Sequence, residues 1–205
     1  MNGNLYIIWA PSGGGKTSLV EALMSSDPYV RRSISHTTRP PREGEVNGKD
    51  YHFVDQTDFQ KMVEHGDFLE HAEVYGNLYG TSQRWIKDTL TAGLDVFLTI
   101  DWQGGRQVRQ IFSELIGIYV LPPSLAALEQ RLRDRRQDSP EVIEQRLASA
   151  KKDLEHLGEF DYVIINEDFK RAAADLAAIV RGKRLHRDAQ LRRHKNLIQE
   201  LMKGS

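Results

Sequence analysis

The sequence predicts an α/β fold in which a parallel sheet is covered by helices on both faces. Two observations carry this. Four short apolar runs, at residues 5–10, 95–100, 117–121 and 161–165, are bounded by turn residues and separated by stretches of helical spacing. The first run leads through a glycine cluster straight into an amphipathic stretch, the strand–turn–helix order that opens such folds. The runs are mostly apolar instead of strictly alternating, as strands buried on both faces require. With 205 residues the chain has room for one such domain and small inserted subdomains.

The elements follow in order. Residues 5–10 (LYIIWA) form the first strand, stopped by Pro11 and the glycines. Leu19, Val20, Leu23 and Met24 share one face of the next helix, which Asp27-Pro28 should end. Residues 33–83 read differently. Pro40, Pro41, Gly44 and Asn47-Gly48 punctuate short extended pieces, 58–65 has the spacing of a short helix, and 67–79 carries turn and strand signals. A small mixed α/β insertion is expected there. Alternation returns with a helix over 84–91, a strand over 95–100, a helix over 105–113 and a strand over 117–121, ended by Pro122-Pro123. Helices over 125–135 and 141–157, a strand over 161–165 and closing helices over 171–181 and 185–202 complete the chain. The core domain is therefore expected in 1–32, 84–122 and 158–205, with the insertion at 33–83 and a helical segment at 123–157.

Composition narrows the function classes. Twenty-eight basic and 29 acidic residues leave a net charge of −1, so no global field attracts nucleic acid or membrane. The basic run 186–195 reads as a solvated helix face. There are no cysteines, which excludes disulfides, thiolate metal sites and a thiol nucleophile, and the seven histidines have no metal spacing. The N-terminal stretch lacks the features of a signal peptide, and no apolar run approaches the roughly 20 residues of a membrane span. A cytoplasmic protein is the expectation, with monomer and homo-oligomer both open.

The most specific local signal is Ala10-Pro11-Ser12-Gly13-Gly14-Gly15-Lys16-Thr17. The phosphate-binding loop of nucleoside triphosphatases asks for Gly, four residues, Gly, Lys, then Ser or Thr, between a strand and a helix. Gly15, Lys16 and Thr17 match, and Ala10 takes the first glycine's place. Glycines let backbone N–H groups turn inward around phosphate oxygens, and the helix N-terminus adds positive potential. Lys16 is a compact cation for the β/γ phosphates of ATP, and Thr17 offers a hydroxyl to Mg²⁺. Ala10 fits only with negative φ. The loop implies a P-loop NTPase-type sheet and nucleotide binding, but not a reaction. A GTPase would carry Asn-Lys-x-Asp for its base, and this chain has none.

The insertion holds three further clusters: Ser35-His-Thr-Thr-Arg39-Pro-Pro-Arg42 leading to Tyr51, Phe68-Leu-Glu70-His-Ala, and Tyr75-Gly-Asn-Leu-Tyr79-Gly-Thr81. With APSGGGKTSL before them and IDWQG, LPPS and DYVIINED after them, the chain resembles guanylate kinases over almost its whole length. That resemblance implies that Arg39, Arg42, Tyr51 and Tyr79 hold the phosphate of GMP, and that Ser35, Glu70 and Thr81 line its guanine pocket. The chemistry agrees. Two arginines three apart, separated by a stiff Pro-Pro, can present two guanidinium forks to one phosphate. One carboxylate can accept both guanine N1–H and N2–H₂, whereas adenine would leave Glu70 facing a lone pair, a mismatch worth roughly 10⁴-fold in polar pockets.

The resemblance also makes 123–157 a lid over ATP, with Arg131, Arg135 and Arg146 reaching the phosphates. Arg131 and Arg135 are four apart and share a helical face; Arg133 and Arg136 are rivals. Asn166 is implied as an adenine contact. Asp101 ends the second strand, where open α/β sheets bind ligands, and could serve Mg²⁺ through water or the guanine amino group. Relatives often have Asp-x-Asp there, where this chain has Thr99-Ile-Asp101. The implied reaction is phosphoryl transfer from ATP to GMP, with dGMP left open and Lys16, Arg39, Arg135 and Arg146 as the catalytic cations. Two alternatives stand beside it: a non-catalytic guanylate-kinase-like interaction module, and a related kinase for another phosphorylated acceptor.

Overall fold

Strand β1 (Leu5–Trp9) runs through the middle of the computed structural model, which describes residues 3–134 and 138–203, and all its side chains are buried. Its alternation sorts the core into two layers. Tyr6, Ile8 and Ala10 pack on Leu19, Val20 and Leu23 of α1 (Lys16–Ser26) and on Ala172, Leu176 and Val180 of α7 (Phe169–Leu185). Leu5 and Ile7 point the other way, against Ile86 and Leu90 of α3 (Gln83–Thr91) and Val108 of α4 (Trp102–Ile111). This is the period-two geometry of a strand covered on both faces.

The sheet has five parallel strands in the order β2-β7-β1-β8-β9. Here β2 is Val30–Arg32, β7 Asp95–Leu98, β8 Ile116–Leu121 and β9 Tyr162–Ile165. Four of these strands were expected. The fifth, β2, has only three residues and no apolar run, and it exists because it pairs with β7 from Val30↔Asp95 to Arg32↔Phe97. At the same end, Asp95 is buried and accepts from Asn4 and from Arg184, which also pairs with Asp27. That network draws the end of α7 onto the sheet, so α7 runs to Leu185 instead of stopping near 181. The expected closing helix over 185–202 is two helices, α8 (Arg187–Arg193) and α9 (Lys195–Lys203), separated at His194.

The insertion forms a second sheet, ordered β4-β3-β6-β5, from His52–Phe53, His36–Thr37, Asn77–Ser82 and Phe68–Val74. Helix α2 (Gln56–Glu64) is capped by Asp55 and packs Phe59 on Phe68 at 4.7 Å between ring centroids. The hairpin β5–β6 closes through Tyr75 and Gly76, with φ of 52° and 73°. Two consecutive positive φ values define the type I′ turn that matches strand twist.

Helices α5 (Leu125–Asp134) and α6 (Pro140–Asp153) pack on each other through Leu128, Leu132, Ile143 and Ala150. Ser139 caps α6, and Pro140 occupies the first turn, where its missing N–H costs nothing. The helix expected over 141–157 leaves α geometry at Asp153 and continues as a 3₁₀ turn, Leu154–Glu159. This turn is clasped to α4: His156 stacks on Trp102 at 3.8 Å, and Arg106 binds Glu159, holding its carboxyl at about 2. No helix among the described residues is long and apolar enough to cross a membrane.

Tyr75 is the one non-glycine residue with positive φ among those described, and it is exposed. Left-handed backbone costs an ordinary L-residue roughly 1–2 kcal/mol, and asparagine less. Tyr75→Asn should therefore raise the unfolding free energy by about 1 kcal/mol in urea melts.

Candidate active site

The loop after β1 is shaped by two left-handed glycines, Gly13 at φ 89° and Gly15 at φ 93°. The Gly14 N–H donates to the Pro11 carbonyl at 2.8 Å, closing the turn, and α1 begins at Lys16. Gly15 is the N-cap and brings no capping side chain, and a helix start without one is where backbone N–H groups can meet an anion. Ala10 does not have positive φ, and its methyl fills the space under the loop: a Cβ built on Gly14 would lie 2.8 Å from it. Gly13 is equally confined, with Leu128 and Leu132 of α5 about it at 3.1–3.3 Å from a built Cβ. Lys16 is half-buried and Thr17 exposed.

Three residues converge on this loop from elsewhere. Asn166, at the end of β9, is buried and donates to the Gly14 carbonyl at 2.9 Å; its own carbonyl accepts from Arg131 at 2.8 Å. Asn166, expected at the adenine, is thus turned toward the loop and joins it to α5. Arg146 donates to the Ser12 hydroxyl at 2.7 Å and pairs with Asp138 at 2.8 Å. Arg133 forms an exposed i,i+4 pair with Glu129. Arg135 and Arg136 lie outside the described residues.

The insertion gathers Ser35, Glu70 and Thr81. Glu70 pairs with Thr81 across β5–β6, and the neighbouring β3–β6 register, His36↔Gly80, sets Ser35 in line with them. All three are buried. A bulge between Phe68 and Glu70 turns successive residues inward. The Thr81 hydroxyl donates to Glu70 at 2.5 Å. Burial raises the Glu70 carboxyl to about 7, and the Asp101 charge pushes the same way against the Thr81 hydrogen bond. Asp101 caps α4, accepting from Gly104 N–H at 2.9 Å, so this helix starts at Trp102, three residues before the expected 105. Gly104 makes room there, because a Cβ would lie 2.5 Å from the Glu70 carboxylate and would force it to shift. Gln107 completes the join by exchanging hydrogen bonds with the His71 backbone.

Arg39, Tyr51 and Tyr79 also meet. The Tyr51 and Tyr79 rings lie 5.9 Å apart edge to face, and the Arg39 guanidinium lies 5.4 Å from the Tyr51 ring centre. The guanidinium is held by Glu45, a residue the sequence reading passed over. Arg42 is exposed. Asp138, Gly104 and Gln107 were missed too. Only Glu45 left a trace in the sequence, three residues beyond Arg42 as Arg42 is three beyond Arg39. A cleft of about 690 Å³ lies at the opposite end of the sheet, beside Asn4, Asp95 and α8, away from the strand ends where parallel sheets bind ligands.

The geometry is matched by similarity to known proteins. The family model described as guanylate kinase matches residues 2–183. A protein of Thiobacillus denitrificans named guanylate kinase is 56% identical over 198 residues, covering 97% of this chain and 95% of its own. One of Methylobacillus flagellatus with the same name is 53% identical over 202 residues, 98% and 100% of the two chains. The crystal structure of guanylate kinase from Anaplasma phagocytophilum superposes with a TM-score of 0.76 at 32% identity, covering 93% of this chain and 92% of that one.

Asn166→Ala removes the donor to the buried Gly14 carbonyl and leaves that acceptor unpaired. An orphaned buried group costs about 1–3 kcal/mol, and a urea melt should show a loss of that size.

Proposed function

This chain belongs to the guanylate kinase family, and from that premise we propose that it transfers the terminal phosphoryl group of ATP to GMP, in the cytoplasm and with Mg²⁺. The observation that carries the reading is the pairing of two anion sites in one chain. One is the glycine loop with Lys16; the other is the Arg39–Tyr51–Tyr79 cluster beside a buried carboxylate, Glu70. We divide the chain accordingly into a core (1–32, 84–122, 158–205), an acceptor insertion (33–83) and a lid (123–157).

ATP fits the loop because two left-handed glycines and an uncapped helix start make a cradle for phosphate oxygens. Lys16 lies at the head of α1 to meet the β/γ phosphates. Arg131 and Arg146 approach the same loop from α5 and α6, through Asn166 and Ser12, and are proposed to reach its phosphates together with Arg135. Mg²⁺ fits the donor chemistry: the exposed Thr17 hydroxyl and the half-exposed Asp101 carboxylate are hard oxygen donors, and this cation keeps several waters when bound. Bound there, Mg²⁺ would neutralise charge between the phosphates.

On the acceptor side, Arg39, Arg42, Tyr51 and Tyr79 bind the phosphate, and Ser35, Glu70 and Thr81 take the guanine edge. The accepting oxygen belongs to a phosphomonoester with a second pKa near 6, so it is largely dianionic at neutral pH and requires no general base. The chain's task is to bring two anions into line and to spread the charge of a loose transition state over cations. The hairpin α5–α6 lies over the loop, and over bound ATP it would exclude water and so limit hydrolysis.

A coupled ADP assay tests the reading: ADP should appear with ATP, GMP and Mg²⁺ together, and a rate no higher with GMP than without it would reject it. Lys16→Met should lower kcat by orders of magnitude, about 10³-fold, while the circular dichroism stays native.

Glu70 must be ionised to accept two donors from guanine. With its carboxyl raised to about 7, kcat/KM for GMP should climb with pH to a plateau above 7. Glu70→Gln should erase that limb, leave the substrate's own limb near 6, and lower the selectivity for GMP over AMP. Stability has the opposite sign. The folded state holds this proton from 4.5, its ordinary value, up to about 7, so the Glu70 contribution makes the protein less stable as pH rises through that window. Glu70→Gln should flatten the trend in melts.

A further inference from the structure

Residues 38–51 have almost no regular structure, yet they carry two long arginines that must meet one small anion. What orders them is visible around Glu45. The turn 42–45 is closed twice. Glu45 N–H donates to the Arg42 carbonyl at 3.1 Å, and Arg42 N–H donates back to the Glu45 carboxylate at 2.7 Å. Gly44, at φ 83°, takes the left-handed third position that a type II turn demands. The same carboxylate receives one Arg39 Nη on both oxygens, at 2.7 and 2.9 Å. The other Arg39 Nη donates to the Pro40 carbonyl at 2.7 Å, and the guanidinium lies over Tyr51. Burial would raise the Glu45 carboxyl, but its bonds from Arg39 and Arg42 outweigh this and hold it below the usual carboxylate range.

A fixed negative charge inside a phosphate site is a cost, because it repels the dianion that the site binds. It is tolerable if the order it imposes is worth more. A free arginine side chain has rotamer entropy to lose on binding, and Glu45 removes that loss before the ligand arrives. Arg39 has five N–H donors and spends only some of them on Glu45 and Pro40, leaving donors for a second anion.

We propose that Glu45 is the positioning residue of the acceptor-phosphate site: it holds the Arg39 guanidinium over Tyr51 and fixes the Arg42 backbone, so that both arginines meet the phosphomonoester already oriented. This rests on the reading that Arg39 and Arg42 bind the acceptor's phosphate. Charge and order predict opposite signs. If Glu45 acted only as a counter-charge, its removal would tighten GMP. If it positions, removal weakens GMP.

The test is calorimetric binding of GMP and of guanosine to the full chain and to Glu45→Gln, with Glu45→Ala as the harsher variant. Glu45→Gln keeps the shape and an acceptor for the Arg42 N–H, so it guards against a misfolded loop. GMP should bind about tenfold more weakly to Glu45→Gln, the scale of one charge-assisted hydrogen bond. Guanosine, with no phosphate, should bind as to the parent, and KM for ATP should be unchanged. GMP affinity that is unchanged or improved overturns the proposal, and so does an equal loss for GMP and guanosine, which is the mark of general damage. The underlying reading fails separately: the parent protein would then bind GMP no better than guanosine.

Discussion

The left-handed turn at Gly13 and Gly15 is the constraint to which much of the molecule is fitted. It stands between a fully buried strand and the first turn of α1, so it can neither relax outward nor shift along the chain. From below, the Ala10 methyl fills the only room Gly14 leaves. From above, Leu128 and Leu132 cover Gly13, and from the side Asn166 holds the Gly14 carbonyl. A loop held on three sides keeps its shape before any ligand is bound, and preorganisation of that kind removes an ordering cost from binding. The contact between α5 and the loop also joins the α5–α6 hairpin to the loop in this conformation.

Glu70 sets the second constraint. Burying a carboxylate is unfavourable unless it is paired, and here its partner is a neutral hydroxyl. The consequence is a carboxyl that shares its proton near neutral pH, in a pocket where a ligand's two N–H donors would favour the charged form. Gly104 allows this by having no side chain at the point where β5 lies on α4, and Gln107 fastens the same contact through the backbone. The insertion is therefore joined to the core beside Asp101. A shift of α4 would be felt at both carboxylates, which already interact through their charges.

Much of the fold was legible in the chain. The strands β1, β7, β8 and β9 announce themselves as apolar runs, and the phosphate loop declares itself by spacing and context. The bounds were harder. Helix α4 begins at Trp102 because Asp101 caps it, and an Asp after a strand is ambiguous until the strand is placed. Strand β2 is three residues with two arginines, and it is a strand only by virtue of its neighbour. The extension of α7 to Leu185 goes with Arg184 reaching Asp27 and Asp95, more than 80 residues away.

For the site the division is similar. Sequence alone determined which residue types are present at which spacing: a glycine loop with Lys16, a pair of arginines around Pro-Pro, a glutamate after Phe68-Leu69, and a resemblance that joined them. Local chemistry of that kind is written in short motifs, because backbone conformation and side-chain donors are properties of neighbouring residues. Only the tertiary structure decided that Asn166 faces the loop, that Arg146 joins Ser12 to Asp138, that Glu45 occupies Arg39, and that Gly104 makes room for Glu70. The first three are contacts between charged or polar groups and the fourth is a steric fit; the energy of each depends on burial and distance, neither of which exists until the chain has closed.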